Sequence, residues 1–317
     1  MIDDVKSMLH RFREYAALTL ILAALIILFG SLSNHFLTVA TFSSIANEIP
    51  TLALVATGMT LVLITGGIDL SVGSVLALAA AVLGVLLVDW HWPLFFSGLG
   101  AIVVGFAVGT FNGFICVKLR VPSFIVTLGT LEMTRGLAYL TTGSQVKYLD
   151  GKMDMLARLV PGLPITPAAI MAVLVVIAAQ FMISRTVIGR KMIALGTNEV
   201  ATQLAGISTA PIKMLVFAAS GALAGLASLC QTARLGASDP NGNVGLELSA
   251  IAAAVIGGTS LSGGKGSVIC TFIGVLIIAT LEAGLAQVGA TEPVKRLVTG
   301  TVILLAVVAD SLRKTIS

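Results

Sequence analysis

The residues that could do chemistry in this chain are few, and each stands isolated in apolar sequence. Asp69 lies in Gly66-Gly67-Ile68-Asp69-Leu70-Ser71-Val72-Gly73-Ser74, where one apolar run breaks and another begins. An ionised carboxylate in hydrocarbon costs about 2.5–3.5 kcal/mol even on a lenient scale. It therefore needs a partner, a water-filled cavity or a helix end. Two compatible roles follow. Asp69 and Ser71 shape a solute-facing or gating turn, or Asp69 caps the next helix by accepting its backbone N–H groups. Asn112 lies between Gly109 and Gly113, a spacing that suits close helix packing around a buried amide. Glu132 and Arg135 stand at i and i+3, on one helix face. They form either a self-neutralising pair or a polar wall for a hydroxylated solute. Asp69, Ser71, Asn112, Glu132 and Arg135 are thus the candidate solute path. Glu48 and Glu282 lie near span ends, where a long side chain can snorkel to the interface.

Other chemistries fail on spacing. Ser262-Gly263-Gly264-Lys265-Gly266-Ser267 misses the phosphate-loop pattern twice, with Thr at 259 and Gly266 after the lysine. There is no H-E-x-x-H and no G-x-S-x-G. The three histidines, His10, His35 and His91, all fall near span ends. Cys116, Cys230 and Cys270 are odd in number and far apart, which suits buried small hydrophobes rather than disulfides or a metal site. No catalytic residue, metal site or bound cofactor is expected.

The elements that must position these residues are membrane spans. Hydrophobic residues make up 57% and charged residues 11%, with mean hydropathy +1.04. Soluble domains carry roughly 25% charged residues. A soluble enzyme, a disordered chain and a secreted disulfide scaffold are excluded. Continuous apolar runs such as Leu18 to Phe29 argue for helices rather than barrel strands. The expectation is an all-α integral membrane protein, a single transmembrane domain over 1–317. About ten spans are expected, near 16–33, 45–65, 71–88, 94–117, 123–141, 167–184, 211–233, 248–262, 267–288 and 295–310. The first is read as an uncleaved span, because no convincing cleavage site follows it.

Nineteen Lys and Arg residues test the orientation. With ten spans and a cytoplasmic N-terminus, twelve fall inside, at Lys6, Arg11, Arg13, Lys118, Arg120, Arg185, Arg190, Lys191, Lys213, Lys265, Arg313 and Lys314. Six fall outside, at Lys147, Lys152, Arg158, Arg234, Lys295 and Arg296, and Arg135 lies within a span. The bias places both termini in the cytoplasm. The net charge of +4 thus reports membrane orientation and gives no reason to expect a nucleic-acid partner.

Two further patterns concern mechanism. Gly66-Gly67-x-x-Leu70-Ser71-x-Gly73 recurs as Gly257-Gly258-x-x-Leu261-Ser262-x-Gly264. Transporter repeats carry such helix breaks along a solute route; chance in glycine-rich sequence is the other reading. The stretch about 185–210 is basic at its start and then amphipathic. Thr197 or Asn198 can cap a short helix over 197–207, Glu199 suits its first turn, and Val200, Leu204 and Ile207 make one apolar stripe ending at Gly206 and Pro211. Such a helix docks into a partner's groove or lies on the bilayer interface.

These motifs resemble the monosaccharide ABC-transporter permeases of the ribose type. The resemblance rests on 66–74, on Ile193-Ala194-Leu195-Gly196-Thr197-Asn198-Glu199 through Leu204-Ala205-Gly206-Ile207, and on Ile251 to Leu261 with Gly263-Gly264-Lys265-Gly266. It covers about 45–310. It implies a bacterial inner-membrane subunit of about ten helices, paired as a dimer of permeases in contact with lipid. It also implies a cytoplasmic ATPase that binds the ATP and a periplasmic sugar-binding protein. The segment 197–207 matches the part expected to couple to the ATPase. Leu246-Glu247-Leu248-Ser249 departs from the family's usual Glu-Leu-Asp, and Cys270 replaces a usual glycine. The alternative is an ion-coupled secondary transporter using Asp69, Glu132 or Glu282.

Overall fold

The computed structural model describes the backbone of residues 2–316, with the side chains of 15–302, 304, 305 and 308. All ten apolar stretches are helical. They are α1 (Ile2–Leu32), α2 (Val39–Ile64), α3 (Val72–Gly84), α4 (Leu94–Lys118), α5 (Ser123–Thr142), α7 (Pro167–Arg185), α10 (Ala210–Leu235), α11 (Leu246–Ile256), α12 (Val268–Gln287) and α13 (Glu292–Ile316). Between them lie the short α6 (Asp154–Ala157), α8 (Val187–Thr197) and α9 (Glu199–Leu204). A wider π turn, Val85–Asp89, continues α3 to Trp90.

Among the described residues, seven of these helices are long and apolar enough to cross a membrane. That is fewer than the ten expected, and the reasons are local. α5 has 20 residues but carries Glu132, Arg135 and five threonines. α11 has 11 residues, about 16 Å of helix, roughly half of a hydrocarbon core. α13 is charged at its start by Glu292, Lys295 and Arg296.

α2 is the central helix, with 89% of its apolar window buried, whereas α1 has 11% and faces outward. The main core joins α2, α3, α7, α10, α11 and α12 through Leu54, Met59, Leu76, Ala172, Ala227, Ala253 and Ile278. The most extensive helix contact among the described residues is α4 on α10. A Cβ added at Gly105 would strike the carbonyl of Gly221, and one at Gly109 the carbonyl of Phe217. Glycines four apart let the two backbones touch.

The polar 142–166 segment is folded rather than free. Its β1 (Lys147–Tyr148) pairs antiparallel with β2 (Ala237–Ser238). Lys147 reaches Asp89 at 2.8 Å. From β2 the chain runs down α3: the Ser238 hydroxyl donates to the Ala80 carbonyl at 2.7 Å, and a Cβ at Gly73 would meet the Asn243 carbonyl at 2.7 Å. Residues 237–245 are therefore non-helical backbone threaded along a membrane helix, and α11 continues from their lower end.

Candidate functional site

Asp69, Ser71 and Asn112 are brought together, all essentially unexposed. The Ser71 hydroxyl and backbone N–H donate to Asp69 Oδ1 at 2.6 and 3.1 Å. The Ser220 hydroxyl, from α10, donates to Asp69 Oδ2 at 3.0 Å. Asn112 Nδ2, from α4, donates to Ser71 Oγ at 3.0 Å, and the Thr130 hydroxyl, from α5, donates to Asn112 Oδ1 at 2.7 Å. The donors run in one direction and end on the carboxylate. Ile68 and Leu70 are outside any helix, and their N–H groups donate to Ser123 Oγ at 2.9 Å and Thr127 Oγ1 at 3.0 Å. Broken backbone inside a membrane needs such partners. The knot thus clamps the turn between α2 and α3 onto α4, α5 and α10.

One expectation changes. Ser71, not Asp69, is the N-cap residue of α3, and its side chain makes no capping bond. Asp69 instead accepts the N–H two residues on, an Asx turn. Asp69, Ser71 and Asn112 sit in packed protein. The sequence reading missed Thr130, Thr127, Ser123 and Ser220. The first three lie three or four apart on α5, a polar stripe at helical period that was legible in principle.

The expected Glu132–Arg135 pair does not form. Glu132 is exposed, while Arg135 Nη1 donates to the carbonyls of Pro240 and Gly242 at 2.9 and 2.8 Å. The physical reason is the irregular segment 237–245, whose carbonyls lack helix partners and compete for the guanidinium.

At the C-terminal end of α2, just ahead of Asp69, both glycine motifs and the loop helices meet. α2 ends with Gly66 at φ +79°; the Gly66 and Gly67 N–H groups donate to Leu63 and Val62 at 2.9 and 3.1 Å. α11 ends the same way one residue later in its motif. Gly257 is its C-cap, Gly258 has φ +80°, and the Gly258 and Thr259 N–H groups donate to Val255 and Ala254 at 2.8 and 2.9 Å. Both are Schellman closures. The Gly264 N–H then donates to the Ile64 carbonyl at 2.9 Å. A Cβ at Gly196, in α8, would collide with that same carbonyl and with Gly264 N.

The 185–210 segment divides into α8 and α9, so the helix expected over 197–207 is shorter. Asn198 caps α9, its Oδ1 accepting the Ala201 N–H at 2.9 Å. Gly206, at φ +80°, follows the helix end, and Ile207 lies beyond it, packed inward on the cluster holding Ile64, Met192 and Ile212. The stripe is therefore split: Val200 and Leu204 are 66% and 84% exposed, while Ile207 anchors the return. Glu199 fastens α9 to α10, accepting from Lys213 Nζ at 2.7 Å and from the Thr209 hydroxyl at 3.2 Å.

Apolar crossing helices, two helices closed by glycine turns and an exposed apolar knob on a short loop helix define the membrane subunit of a transporter. Over residues 41–307 the chain matches the family described as the permease component of branched-chain amino acid transport systems. It is 40% identical to the ribose import permease protein RbsC of Escherichia coli (strain K12), over 92% of this chain and 91% of that one. It is 38% identical to the RbsC of Haemophilus influenzae, over 94% and 92%. It is 35% identical to the D-allose transport system permease protein AlsC of E. coli (strain K12), over 92% and 90%. No solved structure matches. The chain belongs to this family of importer permeases, in its ribose-type branch, and is a multi-pass membrane protein.

Proposed function

We propose that this chain is the translocating subunit of an ATP-driven importer that moves a monosaccharide or related small polyol across a bacterial inner membrane. It works with a second permease copy, a cytoplasmic ATPase and a periplasmic sugar-binding protein, and both its termini are cytoplasmic. The observation that carries this reading is the knob formed by Val200 and Leu204. Two large apolar side chains are held in solvent on a helix pinned to α10, where a partner groove would cover them. The relatives' ribose and allose names supply the solute class.

The solute route runs along the surface where α5 meets 237–245. Glu132, Asn241 and Val244 are exposed there. Lipid would be a poor neighbour for Glu132, so a second copy and a water-filled path between the two cover it. The Asp69 knot and Arg135 hold this wall in place.

The test is reconstitution. Proteoliposomes carrying this chain with its ATPase and receptor should take up D-ribose or D-allose only when ATP is supplied on the ATPase side. Uptake by the chain alone under a proton or sodium gradient refutes the reading and returns the protein to the ion-coupled class.

A further inference from the structure

Two cavities between the helices bear on the passage of a solute. The larger, about 320 Å³, is walled by Ala46, Ile49, Pro50, Ala169, Val173 and Phe272; it offers a polar solute nothing. The second, about 140 Å³, is of a different kind. It lies where α11 begins, beside the last turns of α10 and α12 and the first half of α2. A full-length helix in place of α11 would continue through this end. Because α11 starts halfway, polar side chains of its neighbours are left facing a gap.

Seven polar side chains line it: Glu48, Thr51, Gln231, Arg234, Asn243, Ser249 and Glu282. Some are already paired. Arg234 Nη1 is 3.4 Å from Glu48 Oε1, and the Thr51 hydroxyl donates to Gln231 Oε1 at 3.2 Å. Four groups are left over. Among the described residues, Gln231 Nε2, the Asn243 side-chain amide, the Ser249 hydroxyl and the half-buried Glu282 carboxylate have no hydrogen-bond partner in the protein. Two amides, a hydroxyl that works either way and an acceptor-only carboxylate thus converge on one space. Leu52, Leu246 and Ala279 supply an aliphatic wall.

We infer that this pocket at the head of α11 is a solute subsite for one neutral polyhydroxylated molecule of monosaccharide size. Vicinal hydroxyls both donate and accept, so they can satisfy the amides, the serine and the carboxylate together. An anionic solute would face Glu282 with the only nearby guanidinium already engaged by Glu48. A flat aromatic solute would find no ring to stack on. The pocket opens away from α8 and α9 and next to 237–245, so a solute resting there stands at the head of the route. Broken helices build transporter sites in this manner. The subsite rests on the monosaccharide reading above, and its test is separable from that reading.

The purified chain in lipid nanodiscs is dialysed against radiolabelled D-ribose and D-allose, with L-leucine and L-arginine as comparators. Saturable sugar binding is expected, with neither amino acid competing. Glu282→Gln keeps the pocket's shape and removes a charged acceptor, and it should weaken binding about tenfold, the worth of one charge-assisted hydrogen bond. Ser249→Ala should weaken it less, and the melting temperature should be unchanged in both variants. Three results overturn the subsite: no saturable sugar binding, binding that survives both substitutions, or preferential binding of L-arginine. ATP-driven uptake by the assembled complex is scored separately. Uptake without binding removes the subsite and leaves the importer reading intact. Binding without uptake does the reverse.

Discussion

Replacing Asp69 separates the buried knot from a charge that acts on the solute. In Asp69→Ala three donors lose their acceptor: the Ser71 hydroxyl, the Ser71 N–H and the Ser220 hydroxyl. None can reach water, because Ser71 and Ser220 are both buried. Hydrogen bonds between membrane helices average about 0.6 kcal/mol, and an orphaned buried donor costs about 1–3 kcal/mol. Three of them together give a loss of about 2–9 kcal/mol. Asp69→Asn behaves differently. Its Oδ1 still accepts from Ser71, and its Nδ2 donates to Ser220 Oγ, which accepts as readily as it donates. That loss should stay below about 1 kcal/mol. At roughly 2–4 °C per kcal/mol, the apparent melting temperature in detergent should fall at least about 4 °C for Ala and no more than about half as far for Asn. Transport should follow the same order. If Asn melts like the wild type yet abolishes uptake, the carboxylate charge itself acts on the solute. If Ala melts like the wild type, the knot does not hold the turn, and the reasoning from donor direction is wrong.

Other substitutions probe other links. Leu204→Asp should leave the melting temperature within about 1 °C, as an exposed position allows, yet abolish co-purification of the ATPase and uptake; normal co-purification would make α9 an interfacial segment. Gly109→Val drives a side chain into the Phe217 carbonyl and should abolish folded yield, measured by size-exclusion fluorescence, whereas Gly129→Ala meets open space and should be tolerated. Arg135→Leu frees the Pro240 and Gly242 carbonyls and should speed hydrogen exchange across 241–246 without affecting α2; unchanged exchange would mean that segment holds itself. Cysteines at Tyr148 and Val200, both exposed, should react with an impermeant reagent from opposite sides of the membrane, and same-side labelling would sink the topology.

The ten helical stretches were legible because apolar length and interruption are one-dimensional signals. The depth at which each stretch lies was not. α11 reads as a short span ending at glycine, but that it begins inside the bundle depends on 237–245 descending along α3, a long-range placement set by Gly73 and Ser238. The Glu132–Arg135 pair shows the same limit. Spacing put both on one helix face, and only the arrival of unpaired carbonyls 105 and 107 residues later decided where the guanidinium went. Asn112 was read correctly as a buried amide between glycines, because the glycines that admit α10 flank it directly. Ile207 was assigned to a stripe that periodicity continues past Gly206, although the chain turns back there with φ +80°.

The meeting of Gly196, Ile64 and Gly264 has a mechanical consequence. Side chains between moving parts behave as springs, since a rotamer change can absorb a displacement of an ångström. Here main chain rests on main chain, and no rotamer stands between. Under the proposed docking at Leu204, a push there would arrive at the end of α2 and at the turn after α11 with little backlash. α2 ends on that bearing and the turn after α11 rests on it, so the two are tied to move together.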